Sequence, residues 1–314
     1  MKLKASVCLL FYWLTTAASQ KGTVLKCNTR SNAKQLTLSN PYPSLALCQY
    51  TIRAYNVKVC QLRIDFHYFT LEQPSMTPQK PYAHCENDRL TINGIPFDFC
   101  GTINQNHVYV PFDVQKITDE VKLVFNLGPY SLAQWYITVN QIECNEKSIS
   151  VKPDERQAPP GCLQYFYESF GLVQSFNFGG DYYGDTQYGI CFNKGKNIDS
   201  KLILHDITFQ MDIGATVNSE NTTRNVRNNN GSYAFGFDSD CIPSTNPGGI
   251  TEDYIIIPKA EVNGKLKATA FCSNSIDGEE IISHARGPFV IEVNTDTKTT
   301  QNKETGFRFR YKVV

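Results

Sequence analysis

The stretch Val59–Glu72, VCQLRIDFHYFTLE, constrains this chain more than any other. Cys60, Leu62, Ile64 and Phe66 fall on one side of an extended backbone, and Gln61, Arg63 and Asp65 fall on the other. Apolar residues at period two, rich in β-branched and aromatic side chains, specify a strand buried on one face. A helix would scatter Arg63 and Asp65 among the apolar residues around its wheel. Phe69 and Leu71 resume the apolar series one residue out of phase, which predicts a bulge or bend at His67–Tyr68. The cysteine on the apolar face predicts a covalent tie as well.

Residues 1–19 read as a secretory leader. Lys2 and Lys4 give a positive start, Ala5–Leu14 an apolar run, and Ala17-Ala18-Ser19 small residues for cleavage. The run is shorter than the ~20 residues a membrane span needs, and no later segment is long or apolar enough to span. Cysteine usage agrees with a secreted, extracellular location. Of 11 cysteines, Cys8 lies in the leader, leaving ten: Cys27, Cys48, Cys60, Cys85, Cys100, Cys144, Cys162, Cys191, Cys241 and Cys272. An even number in an exported chain predicts full pairing in an oxidising compartment. The sequence has no CxxC pair and no zinc-ligand spacing.

Asn145–Gly161, NEKSISVKPDERQAPPG, is polar, ends in Pro-Pro-Gly and reads as a short stiff linker. Six cysteines precede it and four follow, so each half can close its own bridges. In the first half, strands are expected at Cys48–Ile52, Val59–Glu72, Arg89–Ile92 and Val121–Phe125, with a closing strand from Trp135 that runs on towards Cys144. In the second half they are expected at Leu172–Phe178, Tyr188–Phe192, Lys201–Met211, Tyr254–Ile257, Phe289–Val293 and Gly306–Val314. No segment after the leader sustains a helical period, so the chain is expected to be all-β.

In the last strand Phe307, Phe309, Tyr311 and Val313 alternate with Arg308, Arg310 and Lys312. Such a cationic face serves solubility and the protection of a sheet edge, with a binding stripe as the alternative. Between Asp212 and Asp240 the chain turns polar and carries two glycosylation sequons, at Asn221 and Asn230, expected on an exposed loop. Thirty basic and thirty acidic residues balance, which gives no support for nucleic-acid binding.

Asn40-Pro-Tyr-Pro43 before Cys48-Gln-Tyr50-Thr-Ile52, Leu62-Arg-Ile64-Asp-Phe66 followed by Phe69-Thr-Leu71-Glu72, Cys85-Glu-Asn-Asp88 and Cys100-Gly101 follow one another in the first half. On these motifs the first half resembles a CUB domain. The second half resembles the C-terminal CUB-like domain of two-domain secreted arthropod proteins. Gly161-Cys-Leu-Gln-Tyr165, Tyr188-Gly-Ile-Cys191, Asp253-Tyr-Ile-Ile-Ile-Pro258, Phe271-Cys272 and the Gly306–Tyr311 ending carry it. The resemblance implies two antiparallel jelly-roll β-sandwiches tied by disulfides: a leader at 1–19, a CUB domain at 27–144, a linker at 145–161 and a divergent CUB-like domain at 162–314. It also implies the bridges Cys27–Cys48, Cys85–Cys100, Cys162–Cys191 and Cys241–Cys272, leaving Cys60 for Cys144.

Many CUB domains hold calcium, through a glutamate after the F-x-L strand, the aspartate of C-x-x-D and a second aspartate in a later turn. Glu72 and Asp88 match the first two in the first half, and no aspartate occurs near Asn126–Gly128. Asp253 and Asp296 match the two aspartates in the second half, with only Asp212 in the glutamate's place. Calcium wants ~6–8 oxygens, so both sets read better as loop carboxylates than as ion sites. No other cofactor is expected.

Enzymatic motifs are missing. There is no HExxH helix, no GxSxG elbow and no Gly-rich phosphate cradle, and only five histidines occur: His67, His84, His107, His205 and His284. The expected function is a secreted, non-catalytic module that binds an extracellular protein or glycan. The Pro74–Pro81 loop and the Pro129-Tyr130 turn are candidate contacts. The alternatives are a structural or humoral defence component without a single tight partner, and a non-catalytic accessory to an extracellular protease.

Overall fold

The computed structural model describes residues 22–144, 155–211, 253–297 and 305–314, apart from positions 43, 44, 113, 117, 196, 198, 267, 268 and 273. The leader, most of the linker, the polar loop with both sequons, Asp212 and Cys241 lie outside the described residues.

Nine strands form the first sandwich: β1 (Thr23–Leu25), β2 (Thr29–Ser31), β3 (Gln35–Ser39), β4 (Leu47–Arg53), β5 (Val59–Thr70), β6 (Arg89–Ile92), β7 (Asn106–Pro111), β8 (Glu120–Asn126) and β9 (Gln134–Glu143). One sheet runs β1-β3-β9-β5-β7 and the other β2-β4-β8-β6. Eleven strands form the second: β10 (Cys162–Phe166), β11 (Phe170–Gln174), β12 (Thr186–Phe192), β13 (Leu202–Gln210), β14 (Tyr254–Ile256), β15 (Ala260–Val262), β16 (Lys265–Leu266), β17 (Ala270–Phe271), β18 (Ile281–Ser283), β19 (Phe289–Thr295) and β20 (Gly306–Val313). Its sheets run β10-β12-β19-β14-β17 and β11-β20-β13-β18-β15-β16. Strand pairs are antiparallel except for three short parallel ones, β1 with β3, β2 with β4 and β10 with β12.

The long strand β5 lies between β9 and β7 and buries Leu62, Ile64 and Phe66. Its register with β9 shifts between Phe66 and Tyr68, which turns Phe69 back into the core. A second shift between Val59 and Gln61 puts Val59 inside, so Cys60 is only half-buried instead of lying on the core face. Between the two sheets Phe125 stacks on Trp135, with ring centroids 4.0 Å apart. The Trp135 indole N–H donates to the Tyr50 hydroxyl (3.2 Å), which donates to the Ser39 carbonyl (2.7 Å). Burial pushes the Tyr50 phenol up to about 12, although the Trp135 bond pulls the other way. Four disulfides link Cys27 to Cys48, Cys60 to Cys144, Cys85 to Cys100 and Cys162 to Cys191. Cys272 is also disulfide-bonded.

The two sandwiches are docked on each other through a polar seam with an aromatic centre. Along one half, side chains of the first sandwich bond the backbone of the end of the linker and of β10. Gln61 brackets Ala158 with two bonds (2.7 and 3.0 Å). The Tyr109 hydroxyl donates to the Arg156 carbonyl (2.9 Å). His107 Nε2 lies 3.0 Å from the Tyr165 amide and 2.9 Å from its carbonyl. Along the other half the roles reverse. The Tyr183 hydroxyl donates to the Cys100 carbonyl (2.6 Å) and accepts from the Cys100 amide (3.0 Å). Asn177 accepts from the Thr102 amide (2.8 Å) and donates to Gln73 (3.0 Å). Between the halves Asn106 bonds Gln164, and Phe99 packs on Phe176 at 5.2 Å. Phe176 and Tyr183 belong to the first sandwich's core cluster.

Gly101 shows how close the approach is. Its φ is +64°, and a Cβ there would collide with the Asn177 side-chain amide. Only glycine meets both demands at no cost.

Candidate interaction surface

One end of the first sandwich is built around a buried carboxylate. Asp88 follows the Cys85 anchor and precedes β6, whose Arg89 pairs with Asn126 at the end of β8. This register sets Asp88 beneath the turn that follows β8. Only 2% exposed, Asp88 accepts from the Gly128 amide (2.8 Å) and the Ser131 hydroxyl (2.5 Å). The Ser131 amide closes the turn on the Gly128 carbonyl (3.2 Å). With both ends held, Pro129 and Tyr130 form the crest. Tyr130 is 94% exposed and Leu132 89%.

The strap before β4 runs alongside. The Leu127 amide donates to the Ala46 carbonyl (2.8 Å), and Leu47 pairs with Asn126. Tyr42, fully exposed, and the part-exposed Leu45 and Leu47 add to the apolar surface at this end. Below them the Phe125–Trp135–Tyr50 stack gives a rigid floor. Exposed side chains are free of competing packing, and the backbone under them is fixed by hydrogen bonds, so little ordering is left to a binding event.

The carboxylates singled out from the sequence are brought near one another only in pairs. Glu72, at the end of β5, is exposed and accepts from the Asn87 side-chain amide (3.0 Å), so it reaches Asp88 through the neighbouring residue. The position where a third carboxylate would stand presents the Gly128 N–H instead. In the second sandwich the buried Asp253 accepts from the Tyr182 hydroxyl (2.5 Å) and the Asp296 amide (2.6 Å). Among the described residues no three His, Cys, Asp or Glu side chains converge to hold a metal ion. Asp88 and Asp253 each accept from N–H and O–H donors and act as loop latches.

The histidines serve as structural partners. His84 bonds Glu86 (2.8 Å), His284 bonds Glu261 (2.7 Å), His67 bonds Thr138 (2.9 Å), and His205 sits 3.4 Å from Asp206. His107 is sealed in the seam. Burial, with the nearby Arg63 charge, lowers its pKa to about 3 and keeps it neutral. A cleft of about 280 Å³ opens beside the seam, lined by Lys80, His84 and Asp98 of the first sandwich and Asp185 of the second. Its two charge signs select no single ligand class.

The Pro74–Pro81 loop and the Pro129-Tyr130 turn, the two contacts expected from the sequence, differ in kind. The first is pinned as a hairpin by reciprocal Ser75–His84 backbone bonds (2.9 and 3.1 Å) and exposes only Met76 among large apolar residues. The second carries the apolar crest. Tyr42 and Leu132 escaped sequence reading because isolated apolar residues in loops carry no period.

Residues 159–314 match the family model for the animal CUB domain. Among solved structures, the chain is similar to the CUB1-EGF-CUB2 domains of rat MASP-1, with 14% identity over 92% of this chain and 100% of that one, at a TM-score of 0.26. The CUB1-EGF-CUB2 domain of human MASP-1/3 matches at 14% identity over 90% and 100%, with a TM-score of 0.26. The full extracellular region of zebrafish Gpr126/Adgrg6 matches at 11% identity over 92% of this chain and 37% of its own, with a TM-score of 0.29. No curated protein matches.

Proposed function

The chain belongs to the CUB domain family, and from that premise we propose that it is a secreted, non-catalytic binding protein whose extracellular protein partner docks on the tip of the first sandwich. The observation that carries this reading is the exposed Tyr130 and Leu132, displayed on a turn latched by Asp88, with Tyr42 exposed on the strap before β4. Large apolar side chains held in water have no value for folding. Grouped on a fixed scaffold, they suit insertion into pockets of a partner, where aromatic anchors carry most of the binding energy. The disulfides suit an oxidising extracellular medium. Binding at this tip draws on apolar contact rather than on a metal-organised carboxylate set.

Affinity capture from extracellular fluid tests this, with the mature protein as bait and a Tyr130→Ser/Leu132→Ser variant beside it, each in calcium and in EDTA. We expect one saturable partner, retained in both buffers and bound at least about tenfold more weakly by the variant, which is about 1.4 kcal/mol. The same variant should melt within about 0.5 kcal/mol of the parent, as exposed substitutions do. Equal capture by parent and variant would place the contact elsewhere, and loss in EDTA would restore the carboxylates to a metal role.

A further inference from the structure

The cationic face of β20 has no place in that reading, and the fold removes one of its ordinary explanations. From the sequence, Arg308, Arg310 and Lys312 suit the protection of a sheet edge. Yet β20 is an inner strand, hydrogen-bonded to β11 on one side and β13 on the other. A strand with both neighbours present has no edge to guard.

We propose that this face binds a sulfated polysaccharide along the direction of β20. Arg308, Arg310 and Lys312 are all exposed and share one side of the strand, while Phe307, Phe309 and Tyr311 fill the core on the other. Two-residue spacing sets successive cations about 6.5–7 Å apart in a straight row. Lys312 is flanked in register by Phe170, 69% exposed, and by the half-buried Ile203. Arg310 is flanked by the half-buried Leu172. One carboxylate reaches the row among the described residues: Asp206, at the β13 bulge, sits 3.4 Å from Arg310, and both are well exposed. An exposed pair of this kind is weak and exchanges readily for a better anion.

A row of fixed cations bordered by apolar surface matches a linear polymer with sulfates at intervals and sugar-ring faces between them. Guanidinium forks take sulfate oxygens in pairs, and Phe170 offers a flat apolar surface to a pyranose ring. The chain's charges balance as a whole, so this row is a local concentration and not a reflection of net charge. An anionic bilayer suits it less well, because the large apolar side chains of β20 itself, Phe307, Phe309 and Tyr311, face the core and leave no broad apolar face to insert. The surface is separate from the first sandwich's apolar crest, so each proposal can fail without the other.

The test is retention of the mature protein on immobilised heparin, with chemically desulfated heparin, duplex DNA and phosphatidylcholine/phosphatidylserine vesicles as comparison probes. Heparin should bind in preference to all three. Affinity should fall with salt, and Arg308→Gln/Arg310→Gln/Lys312→Gln should flatten the log–log salt slope by about three and weaken binding at low salt at least tenfold. Tyr130→Ser/Leu132→Ser should bind heparin as the parent does. A thermal melt checks that the triple variant is folded, and Lys312→Gln alone, changing one exposed side chain, should lower the slope by about one. Equal retention of parent and Lys312→Gln, equal binding to desulfated heparin, or tighter binding to DNA or vesicles would each overturn the assignment.

Discussion

The two sandwiches share a fold and differ in where they show chemistry to solvent. The first is decorated at its end: Tyr130 and Leu132 stand on a loop crest, held from below by Asp88. The second is decorated on a sheet face, where Arg308, Arg310 and Lys312 form an exposed row along one strand. A loop can project bulky apolar groups because its backbone is held by a few local bonds. A sheet face can offer only what alternation places there, one residue in two, at fixed spacing. Such a pair of surfaces suits one protein contact and one extended polyanion, and docking of the sandwiches fixes how the two are oriented.

The comparison can be broken at three points, from the largest expected effect to the smallest. Cys60–Cys144 closes a separation of 84 residues around most of the first sandwich. Replacing both cysteines by alanine should cost about 4 kcal/mol by loop-closure entropy, measured by denaturant unfolding. With the seam intact, the loss should be shared by reporters in both sandwiches. A loss confined to the first sandwich's reporter would mean they unfold independently of the seam.

Next is the seam. Tyr183→Phe leaves the Cys100 amide and carbonyl buried without partners and should cost about 1–3 kcal/mol. If docking couples the sandwiches, calorimetry should also show one parent transition separating into two. An unchanged single transition in the variant would show that the aromatic packing of Phe99 and Phe176 is sufficient alone.

The effect that vanishes at neutral pH, and so is smallest there, is that of protonation. His107 has a folded pKa of about 3, below the ordinary value near 6.5. Above pH 6.5 it is neutral whether folded or unfolded and contributes no slope. As pH falls from 6.5 towards 3 the unfolded chain takes up a proton that the docked state refuses. Stability should drop by up to about 1.4 kcal/mol per pH unit from this group. His107→Gln should flatten that acid limb, and parallel profiles for parent and variant would remove His107 from the account.

Much of the sheet framework was legible beforehand because one-sided burial leaves a period-two trace. β5 and its bulge, β8, β13 and β20 all alternate, and all were placed within a residue or two. β11 was extended too far: the strand stops at Gln174, Ser175 still bonds Phe307 of β20, and Phe176 and Asn177 turn into the seam. β7 and β10 were missed for one shared reason. β7 is buried along nearly its whole length, because β10 covers the face that solvent would otherwise occupy. A strand covered on both sides shows no alternation. The trace that remained was polar: Asn106, His107 and Gln164 in otherwise apolar runs, each committed to the seam. At the crest the Pro129-Tyr130 turn was legible from its turn residues. The Asp88 latch was not, since a carboxylate that suits calcium and one that caps a loop look alike in sequence.

By itself the sequence determined the all-β class, the strands exposed on one face, and the cationic alternation of the last strand. Each of these is a local property, set by side-chain period, turn chemistry or composition within a few residues. Only the tertiary structure decided that the sandwiches lock together, that β20 is an inner strand, and that Asp88 and Asp253 accept from N–H and O–H donors. Those outcomes depend on which distant segments become neighbours, and a buried polar group declares its role only when its partner is in place.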